Sequence, residues 1–167
     1  MSTYQTKFGS LKDINKGKVE LVDDDPKNYV FSNIFEVCAN SKPYERVAVA
    51  KNFEYVIEAM RAEGVSGWFA ASHDEFILCM DGKIEVHLVK LASPDAAIDM
   101  KLSGAQSVRG DVDGLKMGRL TLGRGHMGLL PKGAAYRFQA EQPAAAMIQT
   151  IEGPLTVQRW SEICQTS

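Results

Sequence analysis

The feature that most constrains this chain is a repeated rhythm of short apolar runs, each stopped by a turn signal before it is long enough to make a core helix. From Gly118 onward the runs are RLTLGRG, HMGLL, AYRFQA and AAAMIQTIEG, with Pro131-Lys132-Gly133 between the second and third. Upstream, WFAAS, FILCM and KIEVHLVKL are separated by His73-Asp74-Glu75 and by Asp81-Gly82, a dipeptide that suits a tight turn between paired strands. Short strands recurring about every ten residues, broken by Gly, Pro and Asp, predict an antiparallel barrel or jelly roll.

The remaining segments are read against that rhythm. FEYVIEAM alternates Phe53, Tyr55, Ile57 and Ala59 at period 2, so it is expected to be a strand with those residues on one face. Between Val19 and Val37 two apolar runs flank Asp23-Asp24-Asp25-Pro26, as strands on either side of a connection would. The stretch from Ala92 to Met117 is rich in Gly, Ser, Asp and Pro and reads as a long excursion with at most a strand fragment, suited to covering a neighbour. Val157, Trp160 and Ile163 fall at i, i+3, i+6, which predicts a short closing helix over Thr156 to Cys164.

With 167 residues, 45% of them apolar, the chain suffices for one domain. Residues 1–27 are expected to form an N-terminal arm, with too little apolar content at Ser2 to Lys18 to fold alone, and residues 28–167 the barrel. The 19 basic and 21 acidic side chains are interspersed, which gives no footprint for nucleic acid or an anionic membrane. The N-terminus lacks an apolar signal region and no apolar run reaches the roughly 20 residues that span a bilayer, so a cytoplasmic location is expected. Cys38, Cys79 and Cys164 lie far apart in no paired spacing, which argues for idle or buried thiols rather than a zinc site or disulfide framework.

Two spacings resemble the signature hairpins of the cupin family. The first cupin motif ends with Glu, six residues, Gly, and here Glu75 and Gly82 stand at that interval. Its two histidines would fall at Phe69 and Ala71 with a three-residue spacer, or at Trp68 and Ala70 with a four-residue spacer, and the leading glycine, Gly64, is one or two residues late. The second motif is matched by Gly125, five residues, Pro131-Lys132-Gly133, and then Tyr136 where the histidine belongs and Ala140 where the asparagine belongs. Glycine and proline serve the turns while histidine serves the metal, so the pattern implies a cupin barrel that has lost its metal-ligand positions.

A mononuclear iron site needs two or more imidazoles with a carboxylate and open positions. Only His73, His87 and His126 are available, none at an expected position, and His87 in IEVHLV is expected on the outer face. A salvage site would join His73 and Glu75, i, i+2 on one strand, to His126; the plainer expectation is that His73 and Asp74 are turn groups, His126 bonds backbone and Glu75 pairs with an arginine. Trp68 and Tyr136 are the candidate substrate-proximal residues, each also readable as core packing.

More closely, KNYVFSNIFEV, SKPYERVAVAKNFEYV, RAEGVSGW, HDEFILCMDGKIEV, GRGHMGLLPKGAAYRFQAE and RWSEICQT resemble the small subunit of two-subunit hydroquinone 1,2-dioxygenases, over about positions 28 to 91 and 118 to 167. The resemblance implies an all-β, single cupin barrel that is non-catalytic alone. It further implies an alpha2beta2 heterotetramer with a large cupin subunit, whose Fe(II) opens a small aromatic substrate with O2, while this chain stabilises that subunit and walls its substrate pocket. Two other readings remain open: a stand-alone metal-dependent cupin dioxygenase acting on a small aromatic through His73, Glu75 and His126, and a metal-free cupin that binds a small molecule in its interior.

Overall fold

The computed structural model describes residues 10–12, 23 and 32–163. Most of the arm expected over 1–27, the strand expected near Val19 and Cys164 lie outside the described residues. Ten strands form the body: β1 (Arg46–Asn52), β2 (Tyr55–Val65), β3 (Phe69–Ala71), β4 (Glu75–Asp81), β5 (Lys83–Leu91), β6 (Ala105–Ser107), β7 (Gly114–Gly123), β8 (Met127–Leu130), β9 (Ala134–Ile151) and β10 (Thr156–Val157). Among the described residues three short helices accompany them: α1 (Ile34–Ala39), α2 (Pro94–Ala97) and α3 (Trp160–Ile163). The strands make one sheet curled into a barrel, the all-β architecture that the rhythm of runs and turns predicts and that the resemblance to cupins implies.

The long strand β9 organises the sheet. Its C-terminal half lies antiparallel between β2 and β4, and its N-terminal half runs along β5. AYRFQA and AAAMIQTIEG, expected as two strands, are therefore one. Three residues, Glu141 to Pro143, bulge out where the register with β2 shifts between Ala62 and Gly64, which lets the strand turn a corner without breaking. Asp81-Gly82 is the matching corner on the other side rather than a hairpin turn, since β4 and β5 both pair with β9 and not with each other. Gly82 is required there: its φ is +79°, and a Cβ would sit 2.7 Å from Ala144 Cβ.

Three apolar clusters share the burial. Inward side chains of β2, β4, β5 and β7 to β9, including Met60, Ile77, Ile84, Val86, Tyr136, Phe138 and Ile148, fill the barrel. On the outside, α1 covers Val47, Ala59 and Ala145 with Val37 and Cys38. The segment after β5, with α2 and β6, covers Ala70, Leu91 and Ala135. That excursion thus covers its own barrel. Its expected extent is too long, because β7 already begins at Gly114 and pairs with β5.

Local chemistry explains the other departures. IFEV was expected as a strand but is helical, because Ile34, Val37 and Cys38 recur at helical spacing and the Asn33 side chain accepts the backbone N–H of Phe35 and Glu36 as an N-cap. In β2 the buried face is Val56, Glu58, Met60 and Ala62, while Phe53 lies outside the strand and Tyr55 is exposed. Period 2 was right; an acidic residue in the inward phase hid which face it buried. The closing helix starts only at Trp160, since Thr156 and Val157 are taken by a parallel pairing with Arg46 and Val47.

Candidate functional site

The frame glycines of both motifs do backbone work. Gly82, Gly125 and Gly133 have φ of +79°, +82° and +78°, conformations that other residues adopt at a cost. Together they bring Glu75, at the start of β4 opposite Leu130, and Tyr136, on β9 opposite Phe69, to one end of the interior. Of the two spacers the shorter is the one realised. Phe69 points inward with its ring centroid 6.1 Å from Tyr136 and 6.2 Å from Phe138, and Ala71, two residues on, shares that face. Trp68 and Ala70 face outward into the cluster under the excursion.

At the centre of this frame stands a guanidinium. Arg46 enters from β1, 2% exposed, and its Nε donates to Glu58 Oε2 at 2.5 Å, its Nη2 to Glu75 Oε1 at 2.6 Å and its Nη1 to the Tyr136 hydroxyl at 3.0 Å. Tyr136 in turn donates to Glu75 Oε2, and Thr156 donates to Glu58 Oε1 at 2.6 Å. Glu58, Glu75 and Tyr136 are each no more than 1% exposed. Two buried carboxylates facing one cation leave a net negative charge that only well-formed hydrogen bonds make tolerable, and the tyrosine and threonine hydroxyls supply them.

Electrostatics follow from this packing. Burial by itself would raise the Glu75 carboxyl, but the Arg46 charge and the hydrogen bonds from Tyr136, Thr150 and Arg46 outweigh it and hold the group below the usual carboxylate value. The Tyr136 phenol is pushed well above its ordinary value, by burial first and then by the Glu75 charge, against the pull of Arg46. Arg46 itself is raised well above its ordinary value, since the charges of Glu75, Tyr136 and Glu58 overcome the burial that opposes them. The group is thus locked as cation, carboxylate and neutral phenol, which makes it a poor proton shuttle and a strong brace.

The sequence-level candidates are partly brought together. His73 Nε2 lies 3.0 Å from Thr150 Oγ1 and accepts the Ile151 N–H at 3.3 Å, and Thr150 also lies against Glu75, so the threonine stands between His73 and Glu75. His126 does not join them: it is exposed in the turn before β8, where its Nδ1 accepts the Gly123 N–H at 3.2 Å. Asp74 caps the Lys132 N–H at 2.8 Å, and His87 faces outward beside Glu85. Among the described residues no three His, Cys, Asp or Glu side chains converge as a ligand set. Phe69, Ala71 and Tyr136 do not fit an iron site, and Glu75 is already engaged by Arg46. Trp68 is half-buried at the barrel's outer edge with the Arg137 guanidinium 4.8 Å over its ring, whereas Tyr136 is a fully buried member of the brace.

Arg46 and Glu58 were not anticipated. The signal was present in β2, where Val56, Glu58, Met60 and Ala62 alternate so that the glutamate shares the apolar phase, and in the arginine that opens the apolar strand RVAVA. A buried acid demands a buried base.

No protein-family model matches the sequence and neither does any curated protein. Solved structures do. The chain is 63% identical to one in the hydroquinone 1,2-dioxygenase from Sphingomonas sp. TTNP3 with 4-hydroxybenzoate bound, over 99% of both chains, with a TM-score of 0.93. It is 46% identical to one in hydroquinone 1,2-dioxygenase PnpCD in complex with Cd2+ and 4-hydroxybenzonitrile, over 98% of both, with a TM-score of 0.90. A second kind of chain, in PnpCD in complex with Fe3+, shares only the fold: 11% identity, TM-score 0.59, with 86% of this chain matching 39% of that one. Identity of this order over the whole length, on the same fold, shows that the chain belongs to the hydroquinone 1,2-dioxygenase family.

Proposed function

We propose that this chain is the small, non-catalytic subunit of a hydroquinone 1,2-dioxygenase complex, joined with a large cupin subunit as an alpha2beta2 heterotetramer in the cytoplasm. The observation that carries this reading is the 63% identity over 99% of both chains, taken together with a ligand frame filled by Phe69, Ala71, Tyr136 and the Arg46 guanidinium. The longer chain of the same fold in PnpCD is the model for the large partner. On this reading Fe(II) belongs to that partner and supplies the O2-dependent cleavage of a small aromatic ring.

This chain's own contribution is then mechanical. The Arg46 brace fills the interior with buried side chains already paired to one another, so the barrel serves as a rigid support. Trp68, held at the rim, borders the substrate and positions the flat ring, while Tyr136 stands behind it inside the wall. The test is reconstitution from separately purified subunits with Fe(II), followed by oxygen uptake with hydroquinone. Activity is expected only in the mixture, with iron co-purifying with the large subunit. With the small subunit at saturating concentration, Trp68→Ala is expected to lower turnover of the assembled complex about tenfold while its iron content stays intact. Stoichiometric iron and ring cleavage in the isolated small chain would overturn the reading.

A further inference from the structure

The outer face of β9, β5 and β7 is covered by the excursion only in part. Ala135 and Leu91 lie under it, but the next rows are open. Strand register sets Arg137, His87 and Arg119 side by side in one row, and Gln139, Glu85 and Thr121 in the row beyond. Trp68 stacks against Arg137 at one end, and Val65, 58% exposed, pairs with Gln139 in the row beyond.

This face is short of negative charge. Glu85 is its one carboxylate in these rows, and it is already engaged by Arg119 at 3.2 Å with His87 Nε2 at 3.6 Å. Arg137 has no hydrogen bond and no ion pair among the described residues, and its Nε is shielded from solvent without an acceptor. Arg61 and Arg159 share an orphaned Nε, but among the described residues each has a carboxylate in reach, Arg61 with Glu63 and Arg159 with Glu45 and Glu162, as Arg46 has Glu58 and Glu75. His87 Nε2 is likewise buried without a hydrogen-bond partner. A guanidinium whose Nε is shielded without an acceptor, and which has no carboxylate beside it among the described residues, is better satisfied when an acceptor arrives from outside.

Resting on the subunit reading above, we propose that Arg137 anchors the contact with the large subunit. It takes an Asp or Glu carboxylate of that subunit between its guanidinium and the His87 imidazole, with Trp68 stacked beneath as a positioning platform. A protein carboxylate fits better than a free anion, because the flanking Trp68 and Val65 offer apolar area that only a covering surface can use. Tryptophan and arginine side by side are also the side chains that dominate the centres of protein interfaces. The arrangement couples assembly to catalysis: docking fixes the guanidinium, and the guanidinium fixes the ring of Trp68 at the substrate wall.

The experiment measures association of the purified small and large subunits by titration calorimetry at low and high NaCl. It uses the wild type, Arg137→Ala, Arg137→Gln, Arg137→Lys and, as a control on the same face, Arg119→Ala. Arg137→Ala and Arg137→Gln are expected to weaken association about 30-fold or more and to flatten its salt dependence, as loss of one member of a desolvated charge pair does. Lysine should recover only part of this, because it keeps the charge and loses the planar fork. Arg119→Ala, whose exposed side chain is satisfied by Glu85, should stay within about threefold. In the assembled Arg137→Lys complex, KM for hydroquinone should rise more than kcat falls, a split that a purely structural role would not produce. Because Arg137→Gln keeps an amide over the tryptophan, a normal melt for that variant separates lost docking from lost folding. Association within threefold of wild type for both Arg137→Ala and Arg137→Gln overturns the proposal, as does an Arg137-dependent stabilisation of the chain by acetate without any effect on docking. Failure of the wild type to bind the large subunit overturns the subunit reading instead.

Discussion

Replacing Arg46 by methionine tests whether the guanidinium is what makes the emptied frame stable. Methionine keeps much of the stem's volume, so the change isolates the charge and its three bonds to Glu58, Glu75 and Tyr136. Two carboxylates, each no more than 1% exposed, would then face each other in the core without a cation. Breaking a buried pair by removing one partner costs about 3–5 kcal/mol, which for a domain of this size lowers the melting temperature by roughly 6–20 °C. The pH dependence supplies the sharper sign. In the wild type the folded Glu75 value is depressed, so its contribution is complete above the unfolded value of about 4.3 and is lost as pH falls below it. Without Arg46, burial is the dominant influence left on the carboxyl and raises it, so the variant should gain stability as pH falls from neutral towards about 4.3. Urea midpoints by circular dichroism between pH 4 and 7 read both effects. Adding Glu58→Gln and Glu75→Gln to the methionine variant should recover stability to within about 2 kcal/mol of wild type, because the uncompensated charges are gone. A loss under 1 kcal/mol, or a pH slope of unchanged sign, would refute the account of Arg46 as the counter-ion of the frame.

Two further predictions concern the supports of the barrel. Burial pushes the Cys38 thiol from 9.0 up to about 12, so stability should fall with pH above 9, where the unfolded thiol ionises and the folded one does not, by about 1.4 kcal/mol per pH unit up to about 12; Cys38→Ala should remove that part of the alkaline slope in urea titrations, and an unchanged slope would count against a protonated buried thiol. Gly82→Ala and Gly133→Ala both place a side chain at positive φ, but only the first meets another residue, at 2.7 Å from Ala144 Cβ. Thermal melts should therefore show about 1–2 kcal/mol of loss at Gly133 and a further 1–3 kcal/mol at Gly82, with equal losses speaking against the corner at Asp81-Gly82 as a close backbone approach.

The sequence by itself determined the barrel, because turn residues and apolar alternation act locally. Asp81-Gly82, Gly125 and Pro131-Lys132-Gly133 need particular backbone angles whatever surrounds them, and they stand in the sequence at motif spacing. It also exposed the loss of the histidines at Phe69, Ala71 and Tyr136. Tertiary structure alone decided what replaced them. Arg46, Glu58, Glu75 and Tyr136 come from four strands up to 90 residues apart, and nothing local in RVAVA or VIEAM tells an inward charge from a surface one until the curvature of the sheet sets the phase. The same holds for Asp81-Gly82, where local chemistry specifies a bend but pairing of both flanking strands with β9 makes it a corner instead of a hairpin. Trp68 and Phe69 show the limit most clearly. A spacer of three or four residues is equally legible in the sequence, and a slip of one residue sends a side chain to the opposite face, so only the pairing of Phe69 with Tyr136 fixed which aromatic fills the interior and which faces out.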